Sequence, residues 1–300
     1  MNTPFLKKLD PYLRHLQPMT VRPTGAVANC RKDETIKAVI FDIYGTLLIS
    51  ASGDIMQDSY DANMFSRALA SAGYIIKVPE AALMAIHPLF EREVLDGKKQ
   101  ARDHGTPFPE LDLVEIWGKT LAQAKKKGLI AIPDEADTRL YTILFELSSN
   151  QVWPMPKMNE TLAKLKQKGY PLGIVSNAQF YTPIIMNYFL DGQLKESEWI
   201  DGFERDLSVF SYKLLKGKPD PSVFAGLIAP LKQRGLAPEQ VLYVGNDMLK
   251  DMYAAAQHGF KTCFFAGDRR AYRLRQNHPE ASAMRPDFTI TALDQLNEIL

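Results

Sequence analysis

The sequence predicts an α/β fold in which a doubly wound parallel sheet carries an inserted α-helical domain. Short segments of uninterrupted apolar residues recur along the chain, and the second and third of them each follow a helix-like segment. This alternation is typical of parallel strands joined by right-handed crossover helices. Residues 53–151 interrupt it, because they contain helical patterns but no strong strand pattern. We therefore expect two nested domains.

The composition is that of a soluble globular protein. Of the 300 residues, 46% are hydrophobic and 24% are charged, and the formal net charge is +1. A nearly neutral chain has no general attraction for nucleic acid, and no apolar run reaches the roughly 18 residues of a membrane span. We expect neither nucleic acid nor a membrane as a partner. Two distant cysteines, Cys30 and Cys263, indicate reduced thiols and a cytoplasmic location.

The first 36 residues are predicted to form an extension docked on the main body. Four prolines argue against a long helix there: Pro4, Pro11, Pro18 and Pro23. Four leucines can still cover apolar surface elsewhere: Leu6, Leu9, Leu13 and Leu16.

The first strand of the sheet is predicted at Ala38–Phe41, whose uninterrupted apolar character fits a strand buried on both faces. Helices are then expected at residues 60–73, 79–95, 110–127 and 133–148. The rest of the core is expected as helix 159–169, strand 172–175, helix 221–235 and strands 241–245, 261–265 and 287–290. The predicted domains are an extension at 1–36, a core at 37–52 and 152–300, and a helical insertion at 53–151.

Polar residues follow each of the first three predicted strands of the core. Asp42 follows the first, Ser176 and Asn177 the second, and Asn246 and Asp247 the third. Open parallel sheets place their ligand crevice at the carboxyl ends of the strands. The sequence therefore predicts a functional site at this edge.

Four segments in this order resemble the motifs of the haloacid dehalogenase superfamily. They are Phe41–Leu47, Ile174–Asn177, Lys218–Pro221 with Phe224, and Val244–Asp247 with Asp251. The resemblance covers residues 37–300 and implies a hydrolase with a Rossmann-like core. The long insertion lies between the first two motifs, as in the subgroup with a mobile helical cap. Such caps typically act on small molecules, because closure excludes water and bulky partners.

The first motif supplies the candidate nucleophile. Asp42 ends a buried strand as a carboxylate facing the crevice, which suits the formation of a covalent aspartyl intermediate. Gly45 permits a tight turn that lets backbone N–H groups approach an anion, and Thr46 adds a hydroxyl donor. We expect Gly45 and Thr46 to bind substrate.

The second and third motifs supply groups for the substrate anion. Ser176 adds a hydroxyl, and the resemblance implies that Ser176 and Asn177 bind the transferring phosphoryl group. Lys218 would neutralise the nucleophile and the substrate oxygens, an electrostatic role typical of phosphoryl transfer. We expect Ser176 and Lys218 to be catalytic.

The fourth motif indicates magnesium. Asp247 and Asp251 are four residues apart, so both can face one side of a helix that begins near Met248. Carboxylates converging with Asp42 would repel one another without a cation, and Mg²⁺ prefers oxygen ligands. The resemblance implies the side chains of Asp42 and Asp247 and the main-chain carbonyl of Tyr44 as ligands. Asn246 could fill the leading position of the motif, but we choose Asp247, with Asp251 helping to organise the metal.

Tyr44 departs from the phosphatase pattern. Superfamily phosphatases usually have a second aspartate there as general acid and base, and a phenol of pKa about 10 is a poor substitute. Tyrosine at this position is a feature of the haloacid dehalogenases, which displace halide without metal. Their fourth motif lacks the acidic pattern seen here, and unpaired buried carboxylates are costly without a cation. The acidic fourth motif therefore favours a phosphatase.

The predicted function is a Mg²⁺-dependent phosphatase of a small phosphate ester. Because Tyr44 replaces the usual acid, slow turnover or a preference for good leaving groups is expected. The alternative is a metal-free 2-haloacid dehalogenase using Asp42, and a third is a non-catalytic binding or scaffold protein. A basic cluster is expected either at the surface or against an anionic substrate or partner: Arg269, Arg270, Arg273 and Arg275. The sequence does not define the substrate or the oligomeric state.

Overall fold

The computed structural model describes residues 3–51 and 60–300 and contains a central, six-stranded parallel sheet. The strands within these residues are β1 (Ala38–Phe41), β2 (Leu48–Ser50), β3 (Ile75–Ile76), β4 (Ile130–Ala131), β5 (Val152–Pro154), β6 (Leu172–Ser176), β7 (Ser208–Phe210), β8 (Val241–Gly245), β9 (Lys261–Phe265) and β10 (Phe288–Ile290). The large sheet has the order β10-β9-β8-β1-β6-β7, and all its pairings are parallel. The predicted α/β fold is confirmed, and β7 is an edge strand that the sequence did not indicate.

The helices of the core cover both faces of this sheet. The α-helices are α1 (Pro4–Arg14), α2 (Ala62–Ser71), α3 (His87–Asp103), α4 (Leu113–Lys126), α5 (Thr138–Ser149), α6 (Met158–Gln167), α7 (Thr182–Asp191), α8 (Ser211–Leu214), α9 (Pro221–Ala225), α10 (Ile228–Gln233), α11 (Ala254–Ala256), α12 (Pro279–Ala283) and α13 (Leu296–Ile299). Successive side chains of β1 enter different cores, since Val39 and Phe41 pack in one cluster and Ala38 and Ile40 in the other. This double burial explains the uninterrupted apolar pattern of β1.

The amino-terminal extension contains a helix, contrary to the prediction from its prolines. Helix α1 runs for 11 residues with Pro11 inside it, although a proline there removes one main-chain hydrogen bond. Pro4 costs the helix little stability, because the N–H groups of the first helical turn have no main-chain partner within the helix. The apolar face of α1 is buried through Phe5, Leu6, Leu9 and Leu13. Packing against α5 offsets the proline, and the expected docking of the extension is confirmed.

Predicted helix 221–235 is divided into two in the structure. Helix α9 ends at Ala225 and α10 begins at Ile228. Pro230 has no N–H to donate to the carbonyl of Gly226, so a continuous helix would lack a bond at this point.

The insertion between β1 and β6 is helical, as predicted. Helices α2 to α5 lie there, and a 3₁₀ segment, Glu80–Ile86, leads into α3. Two small antiparallel pairs were not predicted: β3 pairs with β4, and β2 pairs with β5 where the chain passes between the core and the insertion. The predicted domain boundaries remain a proposal, and the one at residues 52 and 53 lies outside the described residues. Within the described parts of the chain, no helix has the length and apolar character that a membrane crossing needs.

Candidate active site

The predicted site residues meet at the carboxyl edge of the sheet, facing the helical insertion. Asp42 follows β1, Ser176 ends β6, and Asp247 lies two residues after β8. A cavity of about 380 Å³ lies between this edge and the insertion. A smaller pocket of about 90 Å³ includes Asp42 and shares part of its wall with the larger cavity. The combined space suits a small molecule.

Lys218 is the centre of the buried polar network. Its Nζ donates hydrogen bonds to Asp42 Oδ1 at 2.7 Å and to Asp251 Oδ1 at 2.5 Å. The same nitrogen lies 2.9 Å from the Tyr243 hydroxyl and 3.1 Å from the Val175 carbonyl oxygen. Burial acts to lower the pKa of Lys218, but the charges of Asp251 and Asp42 raise it above its ordinary value. The lysine is therefore charged, as the sequence predicted.

Asp251 is turned back onto the loop that precedes its own helix. Its Oδ2 accepts hydrogen bonds from the main-chain N–H groups of Asn246 and Asp247, at 3.0 and 2.9 Å. This close approach needs Gly245, because a Cβ there would lie 2.5 Å from the Asp251 Cγ. Burial, which Lys218 opposes, raises the pKa of the Asp251 carboxyl to about 6.

Asp247 caps the helical turn Met248–Tyr253 and binds an arginine. Its Oδ1 accepts from the N–H groups of Leu249 and Lys250, both at 3.0 Å. Its Oδ2 accepts from Arg275 Nε at 2.9 Å and Nη2 at 2.6 Å. Burial opposes ionisation of Asp247, but the hydrogen bonds from Arg275 and from the helix hold its pKa below the ordinary value.

The arrangement does not fit the predicted magnesium site. The predicted ligands were Asp42, Asp247, Asp251 and the main-chain carbonyl of Tyr44. Both oxygens of Asp247 and of Asp251 already accept hydrogen bonds from the protein. Within residues 3–51 and 60–300, no three acidic, histidine or cysteine side chains are grouped to hold a metal. Lys218 and Arg275 neutralise the carboxylates whose repulsion had indicated Mg²⁺.

The basic cluster is thus partly built into the site. Arg275 has a φ of 52°, a left-handed conformation that is uncommon outside glycine and often marks a functional constraint. Arg270 pairs with Asp268 at 2.6 Å, and Arg273 Nη1 donates to the Arg270 carbonyl. The cluster was expected either at the surface or against an anion. Because Arg275 binds Asp247, it is not simply part of a surface patch.

Arg275→Gln is expected to increase the affinity of the protein for Mg²⁺ by about tenfold or more, because it removes the positive charge that pairs with the Asp247 carboxylate. Isothermal titration calorimetry of wild type and variant with MgCl₂ measures the change. Arg269→Gln is the matched control, since Arg269 is an exposed member of the same cluster. An equal dissociation constant in all three proteins would show that Arg275 does not compete with the metal.

Tyr44 lines both spaces but cannot replace an acidic residue. Its hydroxyl shares a hydrogen bond of 2.8 Å with Thr182 Oγ1. Burial, reinforced by the charge of Glu146, raises the pKa of Tyr44 far above its ordinary value. The hydroxyl therefore stays protonated near neutral pH.

Gly45 and Thr46 fix the loops around the site. Gly45 has a φ of 88°, and a Cβ there would lie 2.5 Å from Ala271 Cβ and 2.7 Å from Asn246 Nδ2. Thr46 is fully buried and donates to Asn246 Oδ1 at 3.0 Å. Neither residue lines the cavity or the pocket. The structure gives both a structural role, and their predicted contact with substrate stays a prediction.

Ser176 and Asn177 differ in their access to the cavity. Ser176 is fully buried and lines neither space. Asn177 lines both, and its Oδ1 accepts from the main-chain N–H of Lys218 at 2.8 Å. Asn177 therefore positions the loop that carries Lys218, whereas the catalytic role of Ser176 stays a prediction.

Glu110, from the insertion, was missed in the sequence. Its carboxylate accepts from Ser211 Oγ at 2.9 Å and from Gln179 Nε2 at 3.4 Å. The main chain adjoining it is bound to the loop before Lys218, through Glu110 N to Leu215 O and Gly217 N to Phe108 O. Burial raises the pKa of Glu110. No local pattern distinguishes this glutamate, because its partners are distant in sequence.

Comparisons with known proteins identify a matching family and related sequences. The family model for haloacid dehalogenase-like hydrolases matches residues 36–259. A phosphoglycolate phosphatase of Nitrosococcus oceani is 31% identical over 190 residues, which cover 59% of this chain and 78% of that protein. The rhythmically expressed gene 2 protein of Drosophila melanogaster is 26% identical over 175 residues, covering 56% of this chain but only 63% of that protein.

A solved structure supports the fold. The crystal structure of a 2-haloacid dehalogenase from Pseudomonas syringae pv. Tomato DC3000 has a TM-score of 0.53 at 21% identity. The superposition covers 88% of this chain and 97% of that one. At this identity the likeness concerns the fold alone.

Proposed function

The chain belongs to the haloacid dehalogenase-like hydrolases, and from this membership we propose that it hydrolyses a small phosphate ester through a covalent intermediate on Asp42. The observation that carries the proposal is the pairing of buried Asp42 with buried, charged Lys218 beside a cavity of small-molecule size. The name of the Nitrosococcus relative, a phosphoglycolate phosphatase, supports the choice of a phosphate ester.

The proposed reaction has two displacements at phosphorus. Lys218 holds Asp42 Oδ1, and no described residue donates a hydrogen bond to Oδ2, so Oδ2 is the attacking atom. Attack on phosphorus breaks the ester P–O bond and leaves an aspartyl phosphate. Water then attacks that phosphorus, releases phosphate and restores the carboxylate. Lys218 offsets the negative charge of the nucleophile and of the phosphoryl oxygens throughout.

The leaving oxygen of the ester needs a proton, and the site offers it only a weak donor. Tyr44 occupies the place of the usual acid, and its raised pKa and its bond to Thr182 make it a weak proton donor. We therefore propose that the alkoxide takes its proton from water. Esters with good leaving groups should then react faster.

A metal-free 2-haloacid dehalogenase is the second candidate. It is favoured by Tyr44 and by the pairing of the site carboxylates with Lys218 and Arg275. In that reaction Asp42 would displace halide from carbon, and water would hydrolyse the resulting ester.

A substrate screen tests both candidates and the predicted magnesium dependence. We expect phosphate release from p-nitrophenyl phosphate to exceed that from ethyl phosphate by about a hundredfold or more, because the better leaving group needs no acid. Each substrate, and 2-chloropropionate, is assayed with Mg²⁺ and with EDTA. Loss of phosphate release in EDTA would support magnesium dependence. Halide release in EDTA without phosphate release under either condition would select the dehalogenase.

A further inference from the structure

Among the acidic and basic side chains that line the larger cavity, the basic ones are the more numerous. The basic residues in its wall are Lys98, Arg102, Lys218, Lys250, Arg275 and His278. Glu110 and Glu146 are the acidic ones, and burial raises the pKa of both. The wall of this space therefore has more basic than acidic side chains.

Three of these basic side chains have no hydrogen-bonded or ion-paired partner among the described residues. Lys218 and Arg275 bind the site carboxylates, and His278 lies 2.8 Å from Glu280. By contrast, the side chains of the other three form no hydrogen bond or salt bridge with any residue in 3–51 and 60–300: Lys98, Arg102 and Lys250. Unpaired cations at the wall of a cavity attract an anion, because there they are less screened than on an open surface.

The three cations converge from both sides of the cavity. Lys98 and Arg102 are four residues apart on α3 and so lie on one face of that helix. Lys250 lies in the turn Met248–Tyr253 of the core. Lys98 and Lys250 therefore line the same cavity from two different elements, one in the insertion and one in the core.

We propose that Lys98, Arg102 and Lys250 form a second anion-binding subsite, which takes an anionic group of the substrate other than the one that reacts at Asp42. The proposal rests on the proposed function and narrows its substrate class to small phosphate esters with a second negative group, such as a carboxylate. The cavity volume of about 380 Å³ limits the ligand to a small molecule.

A pair of non-hydrolysable ligands tests the subsite by calorimetry, without relying on turnover. Phosphonoacetate carries a phosphonate and a carboxylate, whereas ethylphosphonate carries the phosphonate alone. We expect wild type to bind phosphonoacetate about tenfold or more tightly than ethylphosphonate, since charged hydrogen bonds are lost in the latter. The double variant Lys98→Gln/Arg102→Gln should lose this preference and keep its affinity for ethylphosphonate. Lys99→Gln, an exposed neighbour on α3 that does not line the cavity, is the matched control.

The outcomes separate this inference from the proposed function. Equal binding of the two ligands by wild type would overturn the subsite, as would an equal loss of preference in the control. If phosphate esters are hydrolysed without any preference for a second anionic group, the subsite fails and the phosphatase stands. If no ester is hydrolysed but the preference for phosphonoacetate depends on Lys98 and Arg102, the subsite stands and the phosphatase fails.

Discussion

Asp42→Asn is expected to lower the rate of phosphate release by about a thousandfold or more, because an amide oxygen is a far weaker nucleophile than a carboxylate. The substitution is nearly isosteric and keeps an oxygen that can accept a hydrogen bond from Lys218. The fold should therefore be preserved, and Lys218 retains its bond to Asp251. Steady-state kinetics with p-nitrophenyl phosphate, together with circular dichroism of the variant, measure the two effects.

Asp42→Glu provides a sharper control for the same position. It keeps the negative charge but moves the carboxylate by one methylene group, so it tests placement separately from charge. We expect a loss of about a hundredfold or more from misplacement alone. If Asp42→Asn instead kept wild-type activity, both the phosphatase and the dehalogenase proposals would be wrong, since both use this carboxylate.

The sequence predicts the core of the site because its residues lie in short segments with a recognisable pattern or motif. The buried strand that ends at Asp42 is read from an uninterrupted apolar run, and its position at the sheet edge follows from the alternation with helices. The place of Lys218 was inferred from the resemblance, and the structure brings its Nζ to 2.7 Å from Asp42.

The parts that could not be predicted depend on contacts between distant segments. Arg275 was one of four clustered arginines, and only the loop between β9 and α12 decides that it reaches Asp247. Glu110 is bound by Ser211, which is distant from it in the sequence. Helix α1 was disfavoured by Pro11, because the sequence does not reveal the apolar surface of α5 that holds it.

Lys218→Met is expected to destabilise the fold by about 3–5 kcal/mol as well as to abolish activity, because it leaves buried carboxylates without their cation. Asp251 is 1% exposed and Asp42 6%, so water cannot replace the lost hydrogen bonds fully. Lys216→Met, two residues away and only partly buried, is the matched control and should change the free energy of unfolding little.

The loss of stability in Lys218→Met should depend on pH. Burial raises the pKa of Asp251 to about 6 in the folded protein, and Lys218 is the charge that restrains it. Because the pKa of Asp251 is higher in the folded than in the unfolded protein, protonation of Asp251 stabilises the fold. This contribution to the free energy of unfolding is lost as pH rises through the folded pKa. Without Lys218 that pKa rises further. Urea unfolding should therefore show a larger deficit at pH 8 than at pH 5, and an equal deficit at both would contradict this account.

A second substitution separates the structural role of Lys218 from its role in the reaction. Lys218→Met/Asp251→Asn also removes the Asp251 charge that Lys218→Met leaves unpaired. At pH 8 the double variant should therefore recover a large part of the lost stability, because the effects of two substitutions at contacting residues are not additive. Activity should not return, because the phosphoryl group and Asp42 still lack their cation. Recovery of both stability and turnover in the double variant would instead mean that Lys218 serves only to neutralise Asp251.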